Sequence, residues 1–198
     1  MRGGKPDTAR RLRIIGGRWR GRRLEFPDIP GLRPTPDRVR ETLFNWLAPV
    51  IEGTRCLDLF AGSGALGLEA LSRGASEVVF VDRDHRAVRT LRENLDVLGG
   101  PGDGRSAGIH QAEALDWLAD SPPVPFDIVF LDPPFGQDLL APVCFALQRP
   151  GWLRPDTRVY VESAADPEPP LPPDWTRLRQ TRAGRVAARL LVAAGRTQ

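Results

Sequence analysis

The strongest constraint on the fold is a regular alternation of strand and helix patterns that begins near Thr54. Short apolar runs rich in Val, Ile and Phe predict strands at residues 55–60, 77–82, 106–111, 126–132 and 157–163. Helical patterns lie between them, at residues 65–73, 84–98, 113–119 and 137–148. This alternation is typical of a parallel sheet with helices on both faces. Two further strand patterns, 176–181 and 185–194, flank a turn and predict a C-terminal antiparallel hairpin, which completes a seven-stranded, mostly parallel sheet.

An N-terminal extension precedes this alternation. Residues 11–26 contain two short strand patterns separated by glycines, which predict a β-hairpin. Apolar residues at helical spacing predict a helix over residues 37–47 that ends before Pro49. We therefore divide the chain into a basic leader expected to be disordered, an extension of hairpin and helix, and a main α/β domain, over residues 1–11, 12–49 and 50–198.

Positive charge is concentrated at the start of the chain. Residues 1–23 carry nine Arg or Lys side chains against one acidic side chain, whereas the remainder has more acidic than basic residues. A basic arm on a mildly acidic body is typical of nucleic-acid binding. A genome that favours arginine would explain the shortage of lysine but not the shortage of acidic residues in the arm. The apolar fraction of 41% is enough for a folded core, and no apolar run approaches the ~20 residues that span a bilayer.

A glycine-rich loop follows the first strand of the alternation. The stretch CLDLFAGSGALG contains G-x-G-x-x-G at Gly62, Gly64 and Gly67, and Asp82 follows twenty positions after Gly62. Glycines at the first two positions let the backbone turn sharply and approach a ligand closely. The spacing is typical of a dinucleotide site, and by itself it leaves NAD and other adenosine cofactors open.

Asp58 favours one of these cofactors. Its carboxylate, just before the loop, would repel the pyrophosphate of NAD and attract the sulfonium and ammonium groups of S-adenosylmethionine. A structural role, in which Asp58 only holds loop amides, is the alternative and is compatible with cofactor binding. Asp82 is placed to accept the ribose hydroxyls, and Glu113 to accept from the adenine amine. The predicted S-adenosylmethionine-binding residues are Asp58, Phe60, Ala61, Gly62, Ser63, Gly64, Asp82 and Glu113.

The sequence FLDPPFG closes the fourth predicted strand. An Asp-Pro-Pro-aromatic motif there suits methylation of an exocyclic amine on a flat ring, whose nitrogen lone pair is delocalised. Asp132 would accept one N–H and the Pro133 carbonyl the other, while Phe135 would stack on a base that is unpaired or flipped out. Positioning would supply most of the acceleration, up to ~7–11 kcal/mol, without a metal. The predicted catalytic residues are Asp132, Pro133, Pro134 and Phe135.

Six segments of the chain carry a family resemblance. They are IIGGRWRGRRL, GLRPTPDRVRETLFNWL, CLDLFAGSGALGLEALSRGA, DIVFLDPPF, YVES and GRVAARL, within residues 12–195. Together they resemble the bacterial 16S rRNA guanine-N2 methyltransferases of the RsmD type. The resemblance implies a Rossmann-like class I methyltransferase fold with residues 50–198 as the catalytic domain. It also implies methyl transfer from S-adenosylmethionine to the N2 amine of one guanine in 16S rRNA, within an assembled or assembling 30S particle.

The extension interleaves arginine with an aromatic residue, as phosphate contact combined with base stacking requires. The predicted RNA-binding residues are Arg18, Trp19, Arg20, Arg22, Arg23, Arg33 and Arg38. Packing inside the hairpin is the alternative for Trp19. We expect Arg33, Thr35, Arg38 and Arg40 at the mouth of the pocket, next to either RNA phosphate or the cofactor carboxylate.

Other functions stay open from the residues alone. The same chemistry suits adenine N6 in DNA or RNA, or a protein glutamine, although glutamine enzymes typically carry Asn-Pro-Pro-Tyr. An NAD-dependent oxidoreductase and an RNA-binding assembly factor without turnover are alternatives from other classes. We expect a cytoplasmic monomer without a membrane or metal partner, in which Cys56 and Cys144 are reduced core thiols.

Overall fold

Two β-sheets and five helices form the described part of the chain, which comprises residues 10–29, 35–102, 104–134 and 136–193 of a computed structural model. The small sheet pairs β1 (Arg10–Arg13) with β2 (Arg23–Phe26) in antiparallel orientation. The strands of the large sheet are β3 (Arg55–Asp58), β4 (Glu77–Asp82), β5 (Ser106–Gln111), β6 (Phe126–Leu131), β7 (Leu153–Ala164), β8 (Thr176–Ala183) and β9 (Val186–Val192). The helices are α1 (Asp37–Leu47), α2 (Ala65–Ser72), α3 (His85–Val97), α4 (Ala114–Asp120) and α5 (Leu140–Leu147).

The large sheet has the strand order β5-β4-β3-β6-β7-β9-β8. Strands β5, β4, β3, β6 and β7 are parallel to one another, whereas β9 pairs antiparallel with both β7 and β8. The predicted seven-stranded sheet with its C-terminal hairpin is therefore confirmed. The main difference is β7, which begins at Leu153 rather than at residue 157. Its early part was missed because Pro155 and the positive φ of Asp156, 70°, interrupt a regular strand pattern.

Alternate residues of the sheet supply two cores. On one face, Cys56, Phe80 and Phe130 belong to a cluster that includes the apolar sides of α1, α2 and α3. On the other face, Val129 and Val161 belong to a cluster that includes α4 and α5. The predicted free thiols are confirmed, since Cys56 and Cys144 are both buried and unpaired. None of the helices in the described ranges is long and apolar enough to cross a membrane.

The N-terminal extension is fixed to the last turns of α2 by two buried polar residues. Glu69, with 0% exposure, accepts hydrogen bonds from the backbone N–H groups of Ile15 (2.8 Å) and Gly16 (2.7 Å). The Ser72 hydroxyl donates to the Gly16 carbonyl (2.6 Å) and accepts from the Trp19 N–H (3.0 Å). Ile14, Trp19 and Leu24 belong to the same core cluster as α2. The extension therefore shares the core of the main domain.

The start of the extension corrects one predicted boundary. Strand β1 already includes Arg10 and Arg11, because these residues pair with Phe26 and Glu25 of β2. The predicted leader over residues 1–11 is therefore wrong for its last two residues, and residues 1–9 lie outside the described part. The predicted hairpin and the helix over residues 37–47 are confirmed.

Replacing Glu69 tests how strongly the extension is held. Glu69 also pairs with Arg73 Nε (2.7 Å) and lies 3.6 Å from Nη1 of the fully buried Arg40. We expect Glu69→Ala to lower the free energy of unfolding in urea by about 3–5 kcal/mol, because a buried guanidinium and two amides lose this acceptor. The matched control is Glu93→Ala, which removes an exposed pair with Arg89 and should change stability by less than about 1 kcal/mol. Equal losses in the two variants would contradict the proposed anchoring.

Candidate active site

Four acidic side chains lie at the carboxyl edge of the parallel strands. Asp58 ends β3 and Asp82 ends β4, while Asp132 follows β6 directly and Glu162 lies near the end of β7. The strand register places them in a row. Asp58 pairs with Phe130, and Leu131 pairs with Val161, so the next residues along, Asp132 and Glu162, stand side by side. Ligands of open α/β sheets bind at this edge.

The glycine loop between β3 and α2 has the backbone that its sequence predicts. Gly62 and Gly64 have positive φ angles of 52° and 76°, a region that L side chains rarely adopt. A Cβ at Gly64 would also lie 2.5 Å from Leu91 Cδ1. At Gly67 a Cβ would lie 2.1 Å from a ring carbon of Phe80, so this glycine lets α2 pack closely on the sheet.

Asp58 is buried and holds the start of α2. Its Oδ2 accepts a hydrogen bond from the Gly67 N–H (2.9 Å), which is the structural role considered from the sequence. The side chain is 2% exposed, and desolvation raises its pKa to about 7. Nearby Asp82 also raises the pKa, whereas the bond from Gly67 lowers it. A carboxyl group in this state favours a cationic ligand, which would restore the charge that burial disfavours.

Asp82 braces the same loop from β4. Its Oδ2 accepts from the Gly62 N–H (2.7 Å) and its Oδ1 from the Asp84 N–H (2.8 Å). Burial raises the pKa of Asp82, and the two amide bonds partly offset this. Each carboxylate oxygen has a further lone pair, so binding of ribose hydroxyls stays a prediction that the geometry accommodates.

The other predicted cofactor residues line the loop or its rim. Phe60 is half-buried, whereas Ala61 and Ser63 are buried. Glu113 directly precedes α4, as predicted, and its exposed carboxylate lies 3.7 Å from Arg83 Nη1. Its contact with adenine stays a prediction.

Asp132 belongs to a hydrogen-bonded group that includes the N-terminal extension. The buried Thr35 hydroxyl, just before α1, donates to Asp132 Oδ2 (3.3 Å), and its proximity lowers the pKa of Glu162. Desolvation and the neighbouring Glu162 raise the pKa of Asp132 well above its usual range. Thr35 was expected at the pocket mouth next to RNA or cofactor, but the structure places it against the Asp132 carboxylate. Pro133 is buried and Pro134 half-buried, while Phe135 lies outside the described residues.

Two further residues of this group, Glu162 and Tyr160, were not identified from the sequence. Glu162 is 4% exposed, and its Oε1 accepts a hydrogen bond from the Tyr160 hydroxyl (2.8 Å). Burial raises the pKa of both groups. The signal was an acid inside the apolar strand of YVES, the same signal that identified Asp58.

The structure corrects two roles assigned to the extension. Trp19 is only 6% exposed and packs in the core, with the Arg18 guanidinium 4.3 Å from its ring centroid, so it is not available to stack on a base. Hairpin packing, the alternative considered, is what the structure shows. Arg40 is fully buried and bonds the carbonyls of Arg13 and Thr35, so it does not line the pocket mouth.

The remaining arginines of the extension differ in their surroundings. Arg18 donates to the carbonyls of Gly100 (2.9 Å) and Pro101, and Arg22 to that of Val97 (2.8 Å), so both attach the extension to the end of α3. Arg20, Arg23 and Arg38 are exposed. Arg33 lies outside the described residues.

Comparison with known proteins gives a consistent result. The family model described as conserved hypothetical protein 95 matches residues 12–192. The chain is 49% identical over 180 residues to the ribosomal RNA small subunit methyltransferase D of Escherichia coli (strain K12), covering 90% of this chain and 88% of that protein. It is 44% identical over 186 residues to the Haemophilus influenzae protein of the same name, covering 93% and 95%. The solved structure of Escherichia coli YhhF, described as a candidate methyltransferase, has a TM-score of 0.84 at 45% identity, covering 93% and 98%. These matches confirm the predicted methyltransferase fold class.

The raised pKa of Asp58 predicts how stability depends on pH without ligand. Between pH about 4 and about 7 the folded protein keeps a proton that the unfolded chain releases, so stability falls as pH rises. Asp58 should lower the free energy of unfolding by up to ~1.4 kcal/mol for each pH unit in this range. We expect the stability of Asp58→Asn, measured by urea denaturation, to lack this pH dependence because an amide does not titrate. The amide oxygen still offers an acceptor for the Gly67 N–H. Parallel stability profiles for the two proteins would show that Asp58 titrates normally.

Proposed function

Because the chain belongs to the RsmD family, described as conserved hypothetical protein 95, we propose that it methylates 16S rRNA of the small ribosomal subunit. The methyl group would pass from S-adenosylmethionine to the exocyclic N2 amine of one guanine. The substrate would be the 30S subunit or its assembly intermediate, which places the protein in the cytoplasm, acting as a monomer. The observation that carries this proposal is Asp132-Pro133-Pro134 at the end of β6, in the row of acids at the sheet edge.

The residues at the glycine loop fit a cationic methyl donor. S-adenosylmethionine supplies an electrophilic methyl group on a positively charged sulfur. Asp58 would attract that charge, while Asp82 and Glu113 would hold the ribose and the adenine. Burial and the raised pKa of Asp58 support this assignment, because a diphosphate here would add negative charge beside a group already hard to ionise.

Asp132 would position the amine and receive its proton. Its carboxylate accepts one N–H of the exocyclic amine, and the Pro133 carbonyl accepts the other, which directs the nitrogen lone pair toward the methyl group. As the N–C bond formed, the S–C bond of the donor would break and leave S-adenosylhomocysteine. The methylated amine would become more acidic, and its proton would pass to Asp132 Oδ. The raised pKa of Asp132, caused by burial and by Glu162, suits it to hold that proton.

The exposed arginines of the extension would contact RNA phosphates. Arg20 and Arg23 lie on the hairpin, and Arg38 lies on the first turn of α1, close to Thr35 and its hydrogen bond to Asp132. Arg18 and Arg22 would contribute charge near the same surface while their side chains hold α3.

Replacing Asp132 tests the proposed reaction. We expect Asp132→Asn to lower the turnover number about 10²–10⁴-fold, because the amide cannot accept the proton, while S-adenosylhomocysteine still binds in calorimetry. Turnover is measured as labelled methyl groups in 30S particles from cells that lack this protein, followed by mass spectrometry of nucleosides. Asp120→Asn, an exposed change at the far end of α4, is the control and should leave turnover unchanged.

The same experiment separates the alternative substrates. Label found only in adenine, in DNA or in a protein glutamine would contradict the guanine assignment. Saturable binding of NADH without binding of S-adenosylhomocysteine would favour an oxidoreductase instead. Turnover of Asp132→Asn within a few-fold of wild type would remove Asp132 from the reaction.

The arm predicts a salt-dependent affinity for RNA. We expect Arg20→Gln with Arg23→Gln to weaken binding to 16S rRNA in filter-binding assays. The slope of log affinity against log salt should flatten by up to ~0.7 for each lost phosphate contact. The matched control is Arg89→Gln with Arg92→Gln on the exposed side of α3, which removes the same charge elsewhere. Equal slope changes in the two variants would show a general charge effect rather than a contact surface.

A further inference from the structure

We infer that Glu162 makes the active site selective for guanine by accepting the N1–H of the target base, beside Asp132, which receives the N2 amine. This inference rests on the proposed function, because it presupposes a guanine as the methylated base. It adds a specificity-determining residue to the site.

The position of Glu162 follows from the pairing of β6 with β7. In this register Val129 pairs with Val159, Phe130 with Tyr160 and Leu131 with Val161. The next residues along the two strands, Asp132 and Glu162, therefore lie side by side. Both side chains lie on the face of the sheet that Phe130 and Tyr160 share, whose rings meet edge to face at 6.4 Å. The Thr35 hydroxyl donates to Asp132 (3.3 Å) and lies close enough to Glu162 to lower its pKa. A base whose amine reaches Asp132 therefore brings a neighbouring ring atom to Glu162.

The described residues provide no countercharge for Glu162. Within the described ranges, no arginine or lysine forms an ion pair with Asp132 or Glu162. Glu162 is 4% exposed, and the Tyr160 hydroxyl bonds only its Oε1. Two adjacent carboxyl groups, Glu162 buried and Asp132 half-buried, are unfavourable without cations unless hydrogen-bond donors are supplied to them. This arrangement suits a ligand that presents two neighbouring N–H groups.

Guanine is the base with that pattern. Its N1–H and its N2 amine are adjacent donors on one edge, whereas N1 of adenine is an acceptor and would face a carboxylate lone pair. A site built to pair a substrate N–H strongly rejects an analogue that lacks it, because buried polar groups are then left without partners. The base 2-aminopurine isolates this contact, since it keeps the N2 amine but has an acceptor at N1.

The test compares guanine with 2-aminopurine at the mapped target position of 16S rRNA, in reconstituted small-subunit particles. Wild type should methylate 2-aminopurine with a kcat/KM at least ~100-fold below that for guanine. Glu162→Gln should lower kcat/KM for guanine about 10–100-fold. It should also reduce the ratio of kcat/KM for guanine to that for 2-aminopurine at least tenfold. The reason is that its amide N–H donates to the N1 acceptor of 2-aminopurine. Glu93→Gln, an exposed change on α3, is the matched control and should leave both rates unchanged.

Three results would contradict the inference or its premise. A Glu162→Gln variant that folds normally and loses activity equally on both bases would assign Glu162 a structural role. Wild-type protein that methylates 2-aminopurine as fast as guanine would show that N1–H is not recognised. Absence of methyl transfer to guanine by wild type would overturn the proposed function itself, and this result is distinguishable because guanine is assayed first.

Discussion

The parallel register of β3, β6 and β7 is the constraint on which the site depends. It aligns the ends of three strands, so that Asp58, Asp132 and Glu162 stand in sequence along one buried edge. Desolvation raises the pKa of all three groups, and the charges of Glu162 and Asp58 raise that of Asp132 further. This unfavourable energy is relieved by ligands that bring positive charge or N–H groups. A sulfonium donor and an amine-bearing base are ligands of these two kinds, so one electrostatic arrangement serves both halves of the proposed reaction.

Helix α2 connects this edge to the N-terminal extension. Near the start of α2 the Gly67 N–H donates to Asp58. Near its end Glu69 and Ser72 accept hydrogen bonds from the backbone of the hairpin. The extension then returns to the site through Thr35, whose hydroxyl reaches Asp132. The position of the extension therefore determines a hydrogen bond to Asp132.

Local patterns in the sequence predicted most of the fold and part of the site. Alternating apolar runs gave the strands and helices, and acids placed at predicted strand ends identified Asp58, Asp82 and Asp132. The remaining residues depend on contacts between distant segments. Trp19 and Arg40 are residue types that are common on nucleic-acid-binding surfaces, yet both are buried because they pack against α2. Glu162 looked like an ordinary strand residue until the pairing of β6 with β7 placed it beside Asp132.

Proton release on ligand binding tests the central claim most directly. Isothermal titration of S-adenosylmethionine at pH 7, in buffers of different ionisation enthalpy, measures how many protons leave the protein. Because burial places the pKa of Asp58 at about 7, pairing with a cation should release about half a proton, and Asp58→Asn should abolish this component. Binding without proton release, or with the same release in Asp58→Asn, would show that the buried acids do not recognise the positive charge of the donor.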